Sequence, residues 1–502
     1  MCERLRLFVV SLLAVICSEG AWASTPAFPG AEGYGSETTH ARGKKVFHVT
    51  RLDDEKGQQK TKSLKPGQFR RALAEAEEAG GGYIVFDVAG TIRLKETPLI
   101  PSNTYIAGQS APGTGISIEG AQIWVGRWKA GHVHDVLVRH LRFRGRGKKG
   151  SDAFAIHGPE THHVVFDHLS VSYFQDGAVD IKNEATDVTL QWCHFGDAAD
   201  SGTNEPYHGE PHLVDDRVDR VTMHHNFYTH SHSRVPWVTE SCENVHFEFS
   251  NNVVYNSRKY PSRFDARRGK VNAIGNFYIP GKNTHSDSKG KFRPVITGAN
   301  GVRIHVRDNL AVGGIGHDNK DSDGKSFKGK DQHIQRGKEA PVNGPRPDKS
   351  LPEERAMGGM GSEGTLGPVP GVVEYSKSRF DEMPKITYVP VEENLDLVLT
   401  QFGALPRDMT DSRLVKELLT RSGEWKLDIP DDGSVYEGEP VVDTDRDGMP
   451  DEWEKRHGRD LETNGHDLDP EYDNIEVYLN ERAAQLVKDA KPVKSGNAIQ
   501  RK

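Results

Sequence analysis

A short pattern of apolar positions returns many times through the middle of the chain. Each copy has an anchor valine followed by apolar residues at alternating positions, and an aromatic residue often closes it. Alternation with a period of two, in segments rich in Val, Phe and Tyr, is typical of β-strands and argues against helical repeats. The anchor valines are Val136, Val164, Val188, Val221, Val245, Val271 and Val302.

The spacing of these anchors predicts a solenoid. Successive anchors are separated by roughly 24–33 positions, within the range of known structural repeats. Repeats of this length with strand chemistry indicate stacked coils, each of which buries its inward side chains only against neighbouring coils. We therefore predict an all-β fold over residues 24–312, a right-handed parallel β-helix with loops of uneven length.

The segments that flank the repeats have other patterns. An Ala- and Glu-rich stretch over 68–79 predicts a short capping helix for the open end of the coil stack, stopped by the glycines at 80–82. Residues 313–375 are polar and without periodicity, as in a surface loop or linker. The remaining predictions are a C-terminal helical segment over 376–435, an acidic calcium-loop module over 436–485 and a disordered tail over 486–502.

The N-terminus has the pattern of a secretion signal. Arg4 and Arg6 precede a short apolar run over 7–17, and Ala21-Trp22-Ala23 has the A-x-A form of a cleavage site. The run is too short to span a membrane. We expect residues 1–23 to be removed, leaving a secreted or periplasmic protein without membrane attachment, and we expect a monomer.

Composition and charge narrow the choice of partners. Hydrophobic residues make up 35% of the chain and charged residues 27%, which fits a protein with a real core rather than a disordered one. The formal net charge of −8 lacks the basic surplus of a nucleic-acid binder. An acidic polymer would need bridging cations or a local basic patch. After signal removal only Cys193 and Cys242 remain, so a disulfide framework is not expected, although a bond between these two stays open.

Three aspartates fall close together when the coils are stacked. Asp152 precedes anchor Val164 by the same offset as Asp176 precedes anchor Val188, so the two are expected one above the other. Neighbouring strands are roughly 4.8 Å apart. Asp180 follows Asp176 by four positions and faces the same side in an extended chain. Carboxylates this close repel unless a cation lies between them, and calcium prefers such oxygen ligands. The alternative is that all three are loop aspartates that face solvent.

One arginine falls near the same column. Arg234 precedes anchor Val245 by an offset one position shorter than that of the aspartates, two coils further on. It lies within a turn that Pro236 rigidifies. The alternative is a surface arginine paired with Glu240.

Several sequence blocks occur together in the order and spacing of a known family. They are Phe28 to Gly35, Phe166-Asp167-His168, Asp176 to Lys182, His224-His225-Asn226 and Arg234-Val235-Pro236. In these blocks the chain resembles the pectate lyases of polysaccharide lyase family 1, from residue 28 to about 277. The opening block is similar to bacterial members.

The resemblance implies roles for individual residues. The calcium ligands would be Asp152, Asp176 and Asp180, and the catalytic base would be Arg234. Structural roles are implied for Asp167 and His168, and for Asn251, Asn252 and Asn276 as a ladder at the coil corners. The implied reaction is calcium-dependent β-elimination of polygalacturonate, in which calcium acidifies the proton next to the uronate carboxylate. An alkaline optimum is expected, because a guanidinium group is normally protonated.

Two positions depart from the family pattern. Thr239 stands where members carry a second arginine, and no Lys or Arg lies between His194 and Asp216, where members have a substrate-binding lysine. We therefore expect Arg263, Arg267 and Lys182 to bind the carboxylates of the acidic polysaccharide.

The acidic module contains a complete calcium-loop pattern of the EF-hand type. The oxygen ligands would be Asp443, Asp445, Asp447, the Met449 carbonyl, Asp451 and Glu454, with Gly448 at the sharp turn. Similar loops end many secreted bacterial polysaccharide enzymes, where their role is structural. An acidic linker is the alternative.

Two other functions stay open on this scaffold. A polygalacturonase-type hydrolase needs paired carboxylates, for which Asp215-Asp216 and Asp197 with Asp200 are the candidates. A non-catalytic carbohydrate-binding protein is the second alternative, because a fold does not fix a function.

Overall fold

Three parallel sheets form the body of the protein, a right-handed parallel β-helix as the repeat predicts. The computed structural model describes residues 25–127, 132–145, 152–199, 209–258, 261–284, 295–297, 301–311, 374–425, 433–459 and 467–496. In each coil the chain contributes one strand to sheet A, then one to sheet B, then one to sheet C. The signal-peptide prediction, most of the predicted linker over 313–375 and the end of the predicted tail lie outside this part of the chain.

The strands of the described residues have the following bounds. Sheet A contains β1 (Val46–Val49), β2 (Gly82–Phe86), β5 (Thr104–Ala107), β8 (His134–Arg139), β11 (His162–Asp167), β14 (Thr186–Gln191), β17 (Asp219–His224), β20 (His246–Ser250), β23 (Lys270–Ile274), β26 (Arg303–Arg307) and β28 (Glu374–Tyr375). Sheet B contains β3 (Gly90–Leu94), β6 (Ile116–Gly120), β9 (Arg142–Arg144), β12 (Ser170–Ser172), β15 (His194–Gly196), β18 (Phe227–Thr229), β21 (Val253–Tyr255), β24 (Phe277–Ile279) and β27 (Leu310–Ala311). Sheet C contains β4 (Leu99–Ile100), β7 (Ile123–Val125), β10 (Phe154–His157), β13 (Val179–Lys182), β16 (Leu213–Asp215), β19 (Trp237–Val238), β22 (Ser262–Phe264) and β25 (Val295–Thr297).

The α-helices of the described residues lie outside the coils. They are α1 (Phe69–Ala79), α2 (Val391–Gln401), α3 (Met409–Thr420), α4 (Asp451–Arg456) and α5 (Asn474–Asp489). Helix α1 packs on β1 and β2 at the N-terminal end of the stack, and Phe69 stacks on Phe86 with ring centroids 6.0 Å apart. It ends at Gly80, whose φ of 75° is the left-handed conformation that glycine adopts readily. The predicted capping helix is therefore present.

The register of sheet A confirms most of the anchor column. Val136, Val164, Val188 and Val221 stand level on successive strands and point into the core. The next levels of the column are Phe247, Val271 and Ile304. Val245 and Val302 thus lie two positions before the column, and this shift keeps them on the buried face.

The cysteines belong to the same core. Cys193 and Cys242 are both free and fully buried among apolar side chains. The disulfide that the sequence left open is not formed, and each thiol packs as a small apolar group.

Helices α2 and α3 cover the outer face of sheet B. Their apolar side chains, among them Leu395 and Leu414, pack on Phe227 and Phe277. The chain after residue 486 differs from the predicted tail. Helix α5 continues to Asp489, and Val493 packs against the same cluster while its N–H bonds the Thr400 hydroxyl at 2.9 Å. Apolar contacts therefore order residues 486–496. None of the described helices combines the length and the hydropathy needed to cross a membrane.

Candidate active site

The outward side chains of sheet C form two rows along the stack, and most of their members are charged or aromatic. The first row runs through Trp124, Ala155, Asp180, Leu213, Trp237 and Arg263. The second, two positions further along each strand, contains His157, Lys182 and Asp215. The alternate residues Val179 and Ile181 point inward and are fully buried. This outward face of sheet C therefore presents functional groups on a rigid surface.

The turns that lead from sheet B into sheet C place a second set of groups beside this face. Gly177 stands level with Glu210 on the next coil, and the Gly177 N–H donates to the Asp152 Oδ1 at 2.9 Å. Arg234 follows one coil later, where its carbonyl accepts from the His212 N–H at 3.0 Å. The column in these turns is therefore Asp152, Gly177, Glu210 and Arg234.

Gly177 leaves the space in which two carboxylates meet. A Cβ atom at this position would lie 2.5 Å from the Asp180 Oδ1 and 2.8 Å from the Asp152 Oδ1. Asp152 also accepts from the Gln122 Nε2 at 3.0 Å, and Asp180 accepts from the Leu213 N–H at 3.1 Å. Both carboxylates thus converge on the same small cradle.

The pKa values of the two carboxyl groups in the cradle are shifted in opposite directions. Burial, and next the charge of Asp180, raise the pKa of Asp152 well above its usual range. Burial acts on Asp180 in the same direction, but the Lys182 ammonium, 2.5 Å from its Oδ2, lowers the pKa of Asp180. Burial alone would lower the pKa of Lys182, yet the charges of Asp180 and Asp152 raise it. The site therefore combines two carboxyl groups with the ammonium group of Lys182.

Asp176 lies near enough for its charge to act on Asp152 and Lys182, but it does not form a compact group of three with Asp152 and Asp180. Among the described residues, compact groups of three candidate ligands are found elsewhere, not at Asp152, Asp176 and Asp180. In sheet C Phe154 pairs with Val179, whereas in sheet A Val164 pairs with Val188, so the first of these two coils is longer by one position between its C and A strands. This extra residue sets Asp152 level with Gly177 and leaves Asp176 one position away.

Arg234 has a carboxylate partner that the sequence pattern did not predict. Its guanidinium forms an ion pair with Glu210, not with Glu240, and lies 5.0 Å from the centre of the Trp237 ring. Glu210 also accepts from the Ser233 hydroxyl at 2.6 Å. One signal was available: Glu210 and Arg234 each stand three positions before a strand of sheet C.

Only one of the two predicted downstream arginines reaches the site. Arg263 lies 4.4 Å from the Trp237 ring on the face of sheet C and pairs with Asp265. Arg267 lies in the corner after β22, where it is 6% exposed and its carbonyl accepts from the Asn244 N–H. The geometry does not support the predicted contact of Arg267 with substrate, because the strand ends before it. Thr239, at the position of the missing arginine, donates to Asp215 at 2.5 Å.

Asp167 and His168 lie in the corner between sheets A and B. Burial alone would raise the pKa of Asp167, but His168 and Arg139 hold it far below its usual range. The His168 ring stacks on His140 at 4.7 Å, and both residues have positive φ. The asparagine ladder beside them consists of Asn226, Asn252, Asn276 and Asn309. Asn251 is outside this ladder and instead bonds the Val389 backbone.

The carboxylates of the hydrolase alternative have other partners. Asp197 is buried and forms an ion pair with Arg413 of α3. Asp215 accepts from Thr239 and Ser241, while Asp200 lies outside the described residues. Asp197 and Asp215 therefore hold helix α3 and the loop at 239–241 in place.

The C-terminal acidic loop forms a separate cluster. Asp443, Asp445 and Asp447 each place one oxygen within 4.8 Å of the others. Asp451 instead accepts from the N–H and hydroxyl of Thr444 at 2.8 and 2.9 Å. Burial and then the neighbouring carboxylates raise the pKa of Glu454 to about 7.

Fold and site together define a parallel β-helix protein with a charged candidate active site on the outer face of one sheet. The pectate lyase family model matches residues 8–303, more than half of the chain. The chain therefore belongs to the pectate lyase family and is a polysaccharide lyase.

Similar proteins span almost the whole chain. A probable pectate lyase C of Neosartorya fischeri is 28% identical and covers 92% of this chain and 94% of its own. One of Emericella nidulans is 27% identical, with 94% and 96% covered. These two relatives are fungal and do not confirm the predicted bacterial type. The solved structure of a thermostable pectate lyase, PL 47, is 15% identical, covers 74% of this chain and 97% of its own, and has a TM-score of 0.44.

Proposed function

We propose that the protein is a calcium-dependent pectate lyase that cleaves polygalacturonate by β-elimination at the outward face of sheet C. The observation that carries the proposal is the cradle at Gly177, where Asp152 and Asp180 converge one coil before Glu210 and two coils before Arg234. A related pectate lyase from a Bacillus species has been solved in complex with trigalacturonate, which names the same class of substrate.

The residues in the cradle fit calcium. Asp180 is buried and Asp152 is partly buried, and both offer carboxylate oxygens, the hard ligands that calcium prefers. Gly177 leaves room between them. We propose that these two aspartates hold the ion directly and that Asp176, whose charge acts on Asp152, completes the set. When bound, calcium withdraws charge from the uronate carboxylate and so acidifies the adjacent proton.

The protein's own groups would position the polymer and move the proton. Lys182 and Arg263 provide two cations on the face of sheet C that can pair with uronate carboxylates. Arg234 would take the proton from the carbon next to the carboxylate. The released electron pair forms the new double bond as the bond from the neighbouring carbon to the glycosidic oxygen breaks, and that oxygen takes a proton from water. The products would be unsaturated oligogalacturonides.

Export and a monomeric state belong to the same proposal. Arg4, the apolar run over 7–17 and the Ala21-Trp22-Ala23 site support secretion to where pectate is found.

Ultraviolet absorbance of polygalacturonate mixed with the mature protein tests the proposal. Elimination creates a conjugated double bond, so absorbance should rise with calcium and stay flat with a chelator. Arg234→Ala should lower the rate by about 10²–10⁴-fold, the usual contribution of a general base. Arg51→Ala, which removes an exposed arginine paired with Asp53 just after β1 of sheet A, serves as the matched control and should retain the rate.

Two outcomes would contradict the proposal. New reducing ends without absorbance would mean hydrolysis. Binding of the polymer without either product would mean a non-catalytic carbohydrate-binding protein.

A further inference from the structure

The acidic loop at residues 443–454 is held in a closed conformation by its own backbone. Asp443 accepts from the N–H groups of Arg446 at 2.7 Å and Gly448 at 2.9 Å, and Asp447 accepts from the Met449 N–H at 2.9 Å. Arg446 and Gly448 both have positive φ, at 62° and 90°. These bonds explain the turn, but they do not by themselves indicate a ligand.

Glu454 supplies the independent indication. Its side chain is fully buried, and neither carboxylate oxygen has a hydrogen-bond partner among the described residues. The charges that act on it are the carboxylates of Asp447, Asp445, Asp443 and Asp451, so it faces the acidic loop. Asp447 Oδ2 is likewise buried without a partner in the described part of the chain. A buried, unpaired carboxylate that faces three others is costly unless a cation compensates the charge.

The loop lies between the edge of sheet A and helix α5. A Cβ atom at Gly448 would lie 2.7 Å from the Ile475 Cδ1 of α5 and 3.1 Å from the Val46 Cγ1 of β1. The His48 ring of β1 bonds the Arg446 carbonyl at 3.0 Å. Met449 packs in the same buried cluster as Tyr83 of sheet A. A change in the conformation of the loop therefore alters its contacts with sheet A and with α5.

Helix α5 is attached to the N-terminal segment by a polar network at its first turn. Asp473 accepts from the Gly43 N–H at 2.7 Å and from the Tyr83 hydroxyl at 3.1 Å. Glu476 pairs with Arg42 at 3.0 Å. Loop and helix together cover the outer face of the first strands of sheet A.

We propose that this loop binds one calcium ion that clasps helices α4 and α5 onto sheet A, as a structural site separate from the cradle at Gly177. Asp443, Asp445, Asp447 and Glu454 supply the charged oxygens, and the Met449 carbonyl occupies the position that gives a backbone ligand in loops of this pattern. Asp451 closes the loop through Thr444. The proposal does not depend on catalytic calcium, because the two clusters share no residue.

The test compares thermal unfolding of full-length Glu454→Gln and wild type, each in calcium and in chelator. Without calcium the variant should be at least as stable as wild type, because one of the crowded carboxylates is neutral. With calcium, wild type should gain more in midpoint temperature than the variant, which keeps only the gain from calcium at the cradle. This reversal of order separates a ligand from a residue that merely packs, since a packing defect would act equally in both conditions.

Glu452→Gln is the matched control, because Glu452 is an exposed residue of the same helix. It should show the full calcium-dependent gain. Asp445→Asn, which keeps its side-chain acceptor for the Asp447 N–H, provides a second variant and should show the same reduced gain as Glu454→Gln. Calorimetric titration should show one fewer bound calcium in both ligand variants.

The catalytic proposal is separated by the same measurement in Asp180→Asn. Persistence of the calcium-dependent gain there supports the clasp whether or not the enzyme is active. Equal gains in wild type, Glu454→Gln and Asp445→Asn, or loss of the gain in Asp180→Asn alone, would overturn it.

Discussion

At the scale of single residues, the candidate site depends on a position without a side chain. Gly177 lies in the turn column between Asp152 and Glu210, and its missing Cβ is what allows Asp152 and Asp180 to approach the same point. Its φ is not in the left-handed region, so space and not backbone conformation explains the glycine.

Replacing Gly177 by alanine should therefore damage the cradle more than the fold. The added methyl group pushes at least one carboxylate aside, and overpacking of this kind costs about 1–3 kcal/mol. We expect a higher calcium concentration for half-maximal activity and roughly a tenfold or greater loss of rate at low calcium. Elimination rates over a calcium series provide the measurement.

Gly35→Ala is the control for that experiment. A Cβ atom there would lie 2.6 Å from the Val164 carbonyl on the outside of sheet A, far from the cradle in the register of the coils. It should lower the unfolding temperature and leave the calcium requirement unchanged. An equal change in calcium requirement for both variants would contradict the role given to Gly177.

Residue-level prediction from sequence succeeded where one coil repeats the next and failed where turn lengths differ. Asp152, Asp180 and Arg234 fall on the expected face because the anchors fix the stacking. Asp176 was predicted to lie level with Asp152. The spacing of the sheet A anchors does not reveal that one turn is longer by one residue, and this residue shifts Asp176 by one position. Arg267 was misplaced because no pattern marks the end of β22.

At the scale of elements, buried charges attach the C-terminal helices to the coils. Asp408 caps α3 by accepting from the Asp411 N–H at 2.9 Å, and its Oδ2 lies 2.6 Å from the Arg144 guanidinium of β9. Burial alone would raise the pKa of Asp408, but Arg144 and Arg142 hold it far below its usual range. The charged form of Asp408 is therefore part of the contact between α3 and sheet B.

This contact should weaken in acid. A carboxyl group whose pKa is depressed by folding adds stability that is complete above its unfolded value, about 3.9, and is lost as the pH falls towards the folded value. We expect the unfolding temperature to fall below pH about 4, and to fall less steeply in Asp408→Asn. Asparagine keeps the helix cap, so the difference between the two profiles reports the charge.

Asp381→Asn is the comparison for this profile, because the Asp381 side chain is 93% exposed. It should follow the wild-type curve. Asp411 also titrates in this contact, because burial raises its pKa. The contribution of Asp408 is therefore the difference between the wild-type and Asp408→Asn profiles. Parallel curves for wild type and Asp408→Asn would show that the ion pair adds no pH-dependent stability.

Elements were predicted from sequence wherever periodicity was strong. The strands of sheet A and helix α1 were found because apolar spacing is a local property. The docking of residues 490–496 was missed, because the contact of Val493 with the cluster under α2 depends on a segment far earlier in the chain.

At the scale of the whole molecule, the three faces of the coil stack differ in how far other segments of the chain cover them. Helices α2 and α3 cover sheet B, and the N-terminal segment with α5 covers much of sheet A. The outward side chains of sheet C, including Trp124, Lys182, Trp237 and Arg263, stay partly exposed. Which face stays open follows from long-range packing, so the sequence predicted the coils but not the uncovered face that makes the site accessible to a polymer.

The most direct test of the catalytic account is a crystal structure of Arg234→Ala with calcium and a galacturonate oligomer. The variant should trap the substrate because proton removal is lost. The account predicts calcium density between Asp152 and Asp180, a uronate carboxylate on that ion, and the adjacent hydrogen directed at position 234. Oligomer bound away from sheet C, or calcium absent from the cradle while the sugar is bound, would contradict it.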